Sequence, residues 1–433
     1  MMLSLELAIV LLSIFIGARI GGIAIGFAGG LGVMALALLG IHPGNIPWDV
    51  ILIIMSVISA IAAMQIAGGM DYLVSLAENL LRRHPDKITL LAPLITYFMT
   101  LLAGTGHTAF STLPVIAQVA KEQQIRPSRP LSVSVIASQI AITASPVSAA
   151  MVFFAGLMEP KGISYPLLIA ICVGSTLSAV ILTAMVANFL GCELKDDPIY
   201  QQRLAKGEIS LQPSNQVALK PGAKRAVFIF LVAIILIMAY ATAISPAVGF
   251  ITAPQLSRDQ AIIALMLTAA LTITVSCKIQ TDLIVTAPTF RSGMSACICV
   301  MGVAWLGDTF VEANLELIQH TASTLLHSYP WMLALVLFFA AMLLYSQAAT
   351  TKALMPAALA LGVSPITAIA SFAAVSALFV LPTYPTLLAA VEMDDTGSTR
   401  IGKAVFNHPF MIPGILAISL SVCFGFALAH LLL

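Results

Sequence analysis

The segment LLRRHPDKITLLAPLITYFMTLLAGTGHTAFSTLPVIAQVAKEQQIRPSR, residues 80–129, is apolar in its middle and basic at both ends. Arg82, Arg83 and Lys87 precede the apolar run 88–120, and Lys121, Arg126 and Arg129 follow it. Basic residues collect on the cytoplasmic side of a bilayer. A single crossing would carry one of the two clusters outside. The run is therefore read as a re-entrant hairpin that dips into the membrane and returns, with GTGHT (104–108) at its tip.

A second run has the same plan. Residues 331–361 contain SQAAT (346–350), and a proline, Pro114 or Pro356, follows each break at the same distance. LLRRHP (80–85) stands before the first run as LLHSYP (325–330) stands before the second, each behind an amphipathic stretch, 71–84 or 311–328. ASPVS (144–148) later answers LPTYPT (381–386). Further apolar runs fall at 3–17, 20–41, 48–70, 130–157 and 164–190, then at 226–245, 258–277, 290–310, 366–391 and 410–433. The expected fold is an all-α integral membrane protein of two repeats, 1–190 and 226–433, joined by a polar linker, 191–225. Each repeat holds five transmembrane helices plus one re-entrant hairpin, 88–120 or 331–361. Five crossings are odd, so the second repeat is inverted against the first. With the linker in the cytoplasm, every one of the 20 Lys and Arg residues except Lys161, Arg258 and Lys352 falls inside. Both termini then face the periplasm or its equivalent. The start, MMLSLELAIVLL with Glu6, reads as a first span and not as a signal peptide.

Composition agrees. The 433 residues are 60% hydrophobic and 9% charged, against about 25% charged in soluble domains. The net charge is +1 and no basic patch carries interleaved aromatics, so no nucleic-acid partner is expected. The 6 cysteines read as small buried residues and not as a metal site. No metal-protease, serine-hydrolase or phosphate-loop motif occurs, so neither an enzyme nor a cofactor is expected. Membrane lipid is the surrounding medium.

Irregular backbone at membrane depth survives only where it is buried or lines a cavity. That puts the chemistry at the four breaks. The first tip offers Gly104, Thr105, Gly106, His107 and Thr108. Its glycines allow a tight turn and its hydroxyls can donate to a carboxylate; alternatively the small residues only let helices pack closely. His107 reads as a satisfied polar residue, a substrate donor or a proton carrier. The second tip offers Ser346, Gln347, Thr350, Thr351 and Lys352. An intramembrane ammonium is expensive and faces a cavity or a partner. For Lys352 that is a substrate carboxylate, a cation's place, or an ion pair with an acid such as Asp308. Ser145, Pro146 and Ser148 mark one broken crossing, and Pro382, Thr383, Pro385 and Thr386 mark the other. Proline removes an N–H and frees a carbonyl, and the alternative is a plain kink. Helix ends exposed at such tips attract anions. Arg126 and Arg129 line a cytoplasmic vestibule or anchor the topology. Asp394 and Asp395, in EMDDTGSTRIGK (392–403), read as a solvated turn.

Several stretches resemble the anaerobic C4-dicarboxylate transporter (Dcu) family over essentially the whole chain. They are GARIGGIAIGFAGGLGV (17–33), LLRRHP, LAGTGH (102–107), ITASPVSAA (142–150), MSACICVMGVAWLGDTF (294–310), LYSQAATTKALMP (344–356) and the run from Leu381 to Phe410. KDDPIY (195–200) favours the A-type over the B-type. The resemblance implies exchange of fumarate, malate or aspartate for succinate across the inner membrane of anaerobic bacteria. It associates Arg83, Arg126 and Lys352 with transport, and the loop around Thr396 with a sensor-kinase contact in the B-type. The family is also similar to the wider ion transporter superfamily, which implies an elevator and a homodimer. Tips there commonly read Ser-Asn-Thr; Gly-Thr-Gly and Ser-Gln-Ala here weaken the case for Na⁺. The alternatives are a Na⁺/H⁺ or inorganic-anion transporter of the same fold, and a dicarboxylate-binding membrane co-sensor.

Overall fold

The computed structural model describes residues 2–20, 23–46, 48–209, 219–244, 250–314, 329–344, 346–381, 384–402 and 406–433. The described residues form helices and no strand. The first half runs α1 (Met2–Ile20), α2 (Ala24–Leu38), α3 (Trp48–Ile66), α4 (Gly69–Arg83), α5 (Ile88–Ala103), α6 (Ala109–Glu122), α7 (Ser128–Ile140), α8 (Ala149–Met158) and α9 (Tyr165–Ala187). α10 (Pro198–Ala205) lies in the linker. The second half runs α11 (Ala223–Ala243), α12 (Arg258–Ser276), α13 (Thr281–Thr286), α14 (Pro288–Ala313), α15 (Met332–Leu344), α16 (Gln347–Ala360), α17 (Pro365–Ser371), α18 (Pro385–Met393) and α19 (Met411–Leu432). A 3-10 turn, Ala141–Ala144, sits between α7 and α8, and a longer one, Phe372–Phe379, follows α17.

Among the described residues, 7 helices are long and apolar enough to cross a membrane, or 8 if the pair α3–α4, bent by 72°, counts as one span. The ten crossings expected are not reached by this measure. α2 is 15 residues long, about 22 Å at 1.5 Å per residue, against a hydrocarbon core of about 30 Å. The apolar stretches Ser4–Gly17, Met332–Met342 and Pro365–Phe379 are similarly short. Most of the amphipathic stretch 311–328 lies outside the described residues, as do Pro382 and Thr383.

Packing sorts the helices into two bundles. α1–α4 pack with α11–α14, through α2 on α14 and α3 on α12. α5–α9 pack with α15–α19, through α5 on α7, α9 on α19 and α15 on the 372–379 turn. The bundles meet where α16 crosses α14, α6 crosses α4 and α8 touches α3. Phe15, Phe228 and Phe339 are each more than half exposed on the outer helices, as lipid-facing side chains are.

At the α2–α14 crossing the backbones touch. A Cβ on Gly302 would lie 1.9 Å from the Gly26 carbonyl oxygen. Only glycine permits that approach.

α7 is the centre of the second bundle. All its residues except Arg129 are buried, although Ser132, Ser134, Ser138 and Gln139 are polar. Polar groups so placed are costly unless they serve a function or find partners.

Candidate functional site

α5 and α6 are two arms joined by a tight turn. Gly104 ends α5 with φ +68°, a conformation that favours glycine. Hydroxyls staple the arms together: Thr100 to Thr108 at 2.8 Å and Thr96 to Thr112 at 3.3 Å. Thr108 thus turns back on its own hairpin. α15 and α16 form the corresponding pair, and Ser346 caps α16 by accepting from the Ala349 N–H at 3.2 Å. Thr350 and Thr351 donate to the carbonyls of Ser346 and Gln347, each at 2.7 Å. So engaged, neither has an O–H left for a ligand.

Both turns close on the same end of α7. A Cβ on Gly106 would meet the Ser138 carbonyl at 3.1 Å, and one on Gly104 would meet Val147 at 3.0 Å. From the other half, Gln347 donates its amide to the Gln139 carbonyl at 2.6 Å. The break at 145–148 is present, with Ser145 and Ser148 both extended. Ser148 caps α8 through the Met151 N–H, and Tyr165 donates to the carbonyl of Pro146. Ser145 is buried and accepts from the Val147 N–H at 3.4 Å, which leaves its own O–H to donate. The second break follows the 372–379 turn, where Ala377 leaves helical geometry at ψ 35°, and Tyr384 is extended. The two 3-10 turns touch, and α18 packs on α6 and α7.

Around this junction several buried polar atoms have no hydrogen-bond partner among the described residues. They are both amide atoms of Gln139, the amide oxygen of Gln347, and the hydroxyls of Ser376 and Thr386. Each such atom costs about 1–3 kcal/mol if nothing binds it. Gln139 and Ser376 were not singled out by sequence; an amide three residues ahead of the ITASP break was the available signal for Gln139. The donor set is neutral, so it suits an oxyanion without titrating. Among the described residues no group of three His, Cys, Asp or Glu side chains could hold a metal ion. His107 lies on the short turn after Gly104, and its side chain is outside the described atoms.

A family model described as an anaerobic C4-dicarboxylate membrane transporter matches residues 2–433. The chain belongs to this family of anaerobic C4-dicarboxylate transporters. A relative from Wolinella succinogenes, named C4-dicarboxylate transporter DcuA, is 64% identical over 433 residues, 100% of each chain. A DcuA from Escherichia coli K12 is 58% identical over 433 residues, again 100% of each. A DcuB from Escherichia coli O6:H1 is 35% identical, over 99% of each chain. The greater likeness is therefore to the A-type members of the family. The crystal structure of the Alcanivorax borkumensis YdaH transporter aligns with TM-score 0.56 over 87% of this chain and 84% of its own, at 13% identity. That likeness speaks to the fold alone.

The three basic residues that the C4-dicarboxylate family resemblance marks lie away from the junction. Arg83 is exposed at the end of α4; its neighbour Arg82 is the one paired, with Glu78 and Glu122. Arg126 stands before α7, whose 13 residues put it about 20 Å from Gln139. It is buried against Asp197 of the linker at 2.8 Å. Burial pushes the Asp197 carboxyl up, but the Ile199 N–H, Arg126 and Arg400 outweigh it and hold the group below its ordinary value. Lys352 lies six residues past Ser346, about 9 Å along α16. Its partner is not Asp308, which accepts from the Asn45 N–H, but Asp49 of α3 at 3.0 Å. α16 packs beside α3's bundle and reaches the start of that helix first.

Asp394 also differs from expectation. It is 3% exposed, caged by Thr396, Ser398 and Thr399, with the Thr399 N–H at 2.6 Å. It is no solvated turn, because hydroxyls and amides within five residues replace its water. Asp395 pairs with Lys121 at 2.8 Å. Asp394→Ala leaves this cage without its acceptor and should cost about 3 kcal/mol. Thermal unfolding of the purified variant would show it; an unchanged midpoint would mean the cage contributes nothing.

Proposed function

We propose that this chain is a secondary exchanger of C4-dicarboxylates in the bacterial inner membrane, taking fumarate, malate or aspartate against succinate. One observation carries the reading: two helix-turn-helix tips, one from each half, converge on the last turn of α7 beside unpartnered buried amides and hydroxyls. A dianion there meets the Gln139 amide, the Ser145 and Thr386 hydroxyls and the Gln347 and Ala348 N–H groups that open α16 ahead of the capped Ala349. Thr105, Gly106 and His107 close one side, and Gln347 the other. The order of elements in the two halves supports two inverted repeats with hairpins at 88–120 and 331–361. The segregation of Lys and Arg supports periplasmic termini. The two bundles support an elevator in which α5–α9 and α15–α19 carry the site past α1–α4 and α11–α14. Superfamily likeness supports a homodimer. The transporter names of the relatives speak for transport without catalysis.

A Na⁺/H⁺ or inorganic-anion carrier would place titratable carboxylates at the breaks; their described residues are hydroxyls and amides instead. Liposomes preloaded with succinate, given labelled fumarate outside, test the proposal. We expect uptake that requires internal dicarboxylate. Uptake driven equally by a Na⁺ gradient into empty liposomes would favour the first rival. Binding without any flux would favour a co-sensor.

A further inference from the structure

A polar cavity lies at the end of α7 opposite the junction, with a volume of about 330 Å³. It opens between the start of α7, the loop after α9 and the segment leading into α19. Arg126, Arg129 and Arg400 line it, together with Ser128, Ser132 and His408. No carboxylate is among its lining residues.

The carboxylates behind it do not balance the charge. Asp197 shares one oxygen between Arg126 at 2.8 Å and Arg400 at 3.4 Å. Glu193, the partner of Arg129 at 3.0 Å, is exposed and screened by water. The cavity therefore keeps an excess of positive charge. His408 adds an independent sign. It is 7% exposed, and its Nε2–H donates to the Val380 carbonyl at 3.3 Å. Its Nδ1 has no partner among the described residues. With Nε2–H donating, Nδ1 is an acceptor, so it takes a hydroxyl donor on the ligand while the guanidiniums take the ligand's oxyanion.

The rim is of the other character. Leu190 and Ile412 are the large apolar residues of the lining, Ile412 is 59% exposed, and Phe189 and Phe406 stand exposed near them in the chain. These residues stand just past the end of α9 and around the start of α19, two helices long and apolar enough to cross a membrane. A charged floor beside an exposed apolar rim at the ends of such helices matches an amphiphile, not a free solute. Arginine forks match phosphate oxygens in pairs. Basic pockets between membrane helices hold acidic headgroups in this way. The volume is at the small end of ligand cavities, about 300–1,000 Å³, so it takes a headgroup and leaves the chains outside.

We propose that this cavity binds the phosphodiester headgroup of an anionic phospholipid. The lipid fastens the start of the same buried helix whose last turn carries Gln139. Inorganic phosphate shares the chemistry but not the rim.

The full chain, purified in detergent, is titrated with phosphatidylglycerol, phosphatidylcholine or millimolar inorganic phosphate while thermal unfolding is followed. Phosphatidylglycerol should raise the midpoint saturably, and the other two should not. In an Arg129→Gln/Arg400→Gln variant the half-saturating lipid concentration should rise about tenfold or more, since two charge-assisted contacts are lost. Circular dichroism checks that the variant folds. If it does not, a photoactivatable phosphatidylglycerol on the native chain decides, and should label the peptides around Leu190 and Ile412. Equal shifts by the two lipids, a full shift by phosphate alone, an unaffected folded variant, or labelling elsewhere would each overturn the proposal.

Discussion

Leucine in place of Gln139 should make the purified protein more heat-stable and a poor carrier. The side chain is 1% exposed and neither amide atom has a partner among the described residues. Leucine is of similar size and brings no polar atom. Removing an unsatisfied buried amide returns about 1–3 kcal/mol to the folded state. On the proposed site, the same change deletes a donor for the substrate carboxylate. A hydrogen bond to a charged group is worth about 1.5–3 kcal/mol. Dicarboxylate affinity should fall about 10- to 150-fold. Unfolding midpoints and counterflow in liposomes measure the two effects separately. Opposite signs support a ligand-binding amide. Loss of both stability and exchange would instead mean that Gln139 holds the junction together. Wild-type exchange would take it out of the site.

Substitutions at Lys352 and Asp49 should also pull in opposite directions. Their pair spans the two bundles, α16 in one and α3 in the other, at 3.0 Å. Helical side chains lean toward the helix N-terminus, so the lysine stem points back along α16 toward the Ser346 end. We expect the ammonium to pass between Asp49 and a substrate carboxylate. Lys352→Ala then removes a charge partner for the substrate, and half-saturation should rise about 10-fold or more. Asp49→Asn removes the competitor. The Asp49 side chain is 40% exposed, so the competing pair is worth at most about 1 kcal/mol. Half-saturation should therefore fall, by up to about fivefold. An ion pair that merely braces the two bundles would weaken transport similarly from either side, and that result would end the handover idea.

Glycine and proline made the breaks legible in the sequence. Gly104 ends α5, Pro146 lies in the break before α8, and Pro385 opens α18, so each marks a helix boundary. Hydrophobic runs likewise located most helices. Long-range pairing was not legible. Asp49 and Lys352 are 303 residues apart, and no periodicity joins them. Gln139 was hidden because one amide inside an apolar run carries no local signature; its meaning lies in what fails to pair with it. Asp394 misled for the opposite reason. DDTGST has the composition of a wet turn, yet its own hydroxyls supply the cage. Helix length misled too. The run 20–41 reads as a full span, yet α2 within it is only 15 residues long, and its glycines matter because of a helix far along the chain.

That glycine crossing has a consequence for how the protein is made. α2 leaves the ribosome about 270 residues before the segment of α14 it fits, which at 5–20 residues per second is roughly 15 to 55 s. During that interval its flat, ridgeless face has only lipid or the insertion machinery against it. Larger side chains there would spoil the eventual fit, and small ones leave the early helix weakly held. The chain therefore inserts its opening segment long before the counterpart exists, and the nascent half-protein is the stage most open to capture by quality-control proteases.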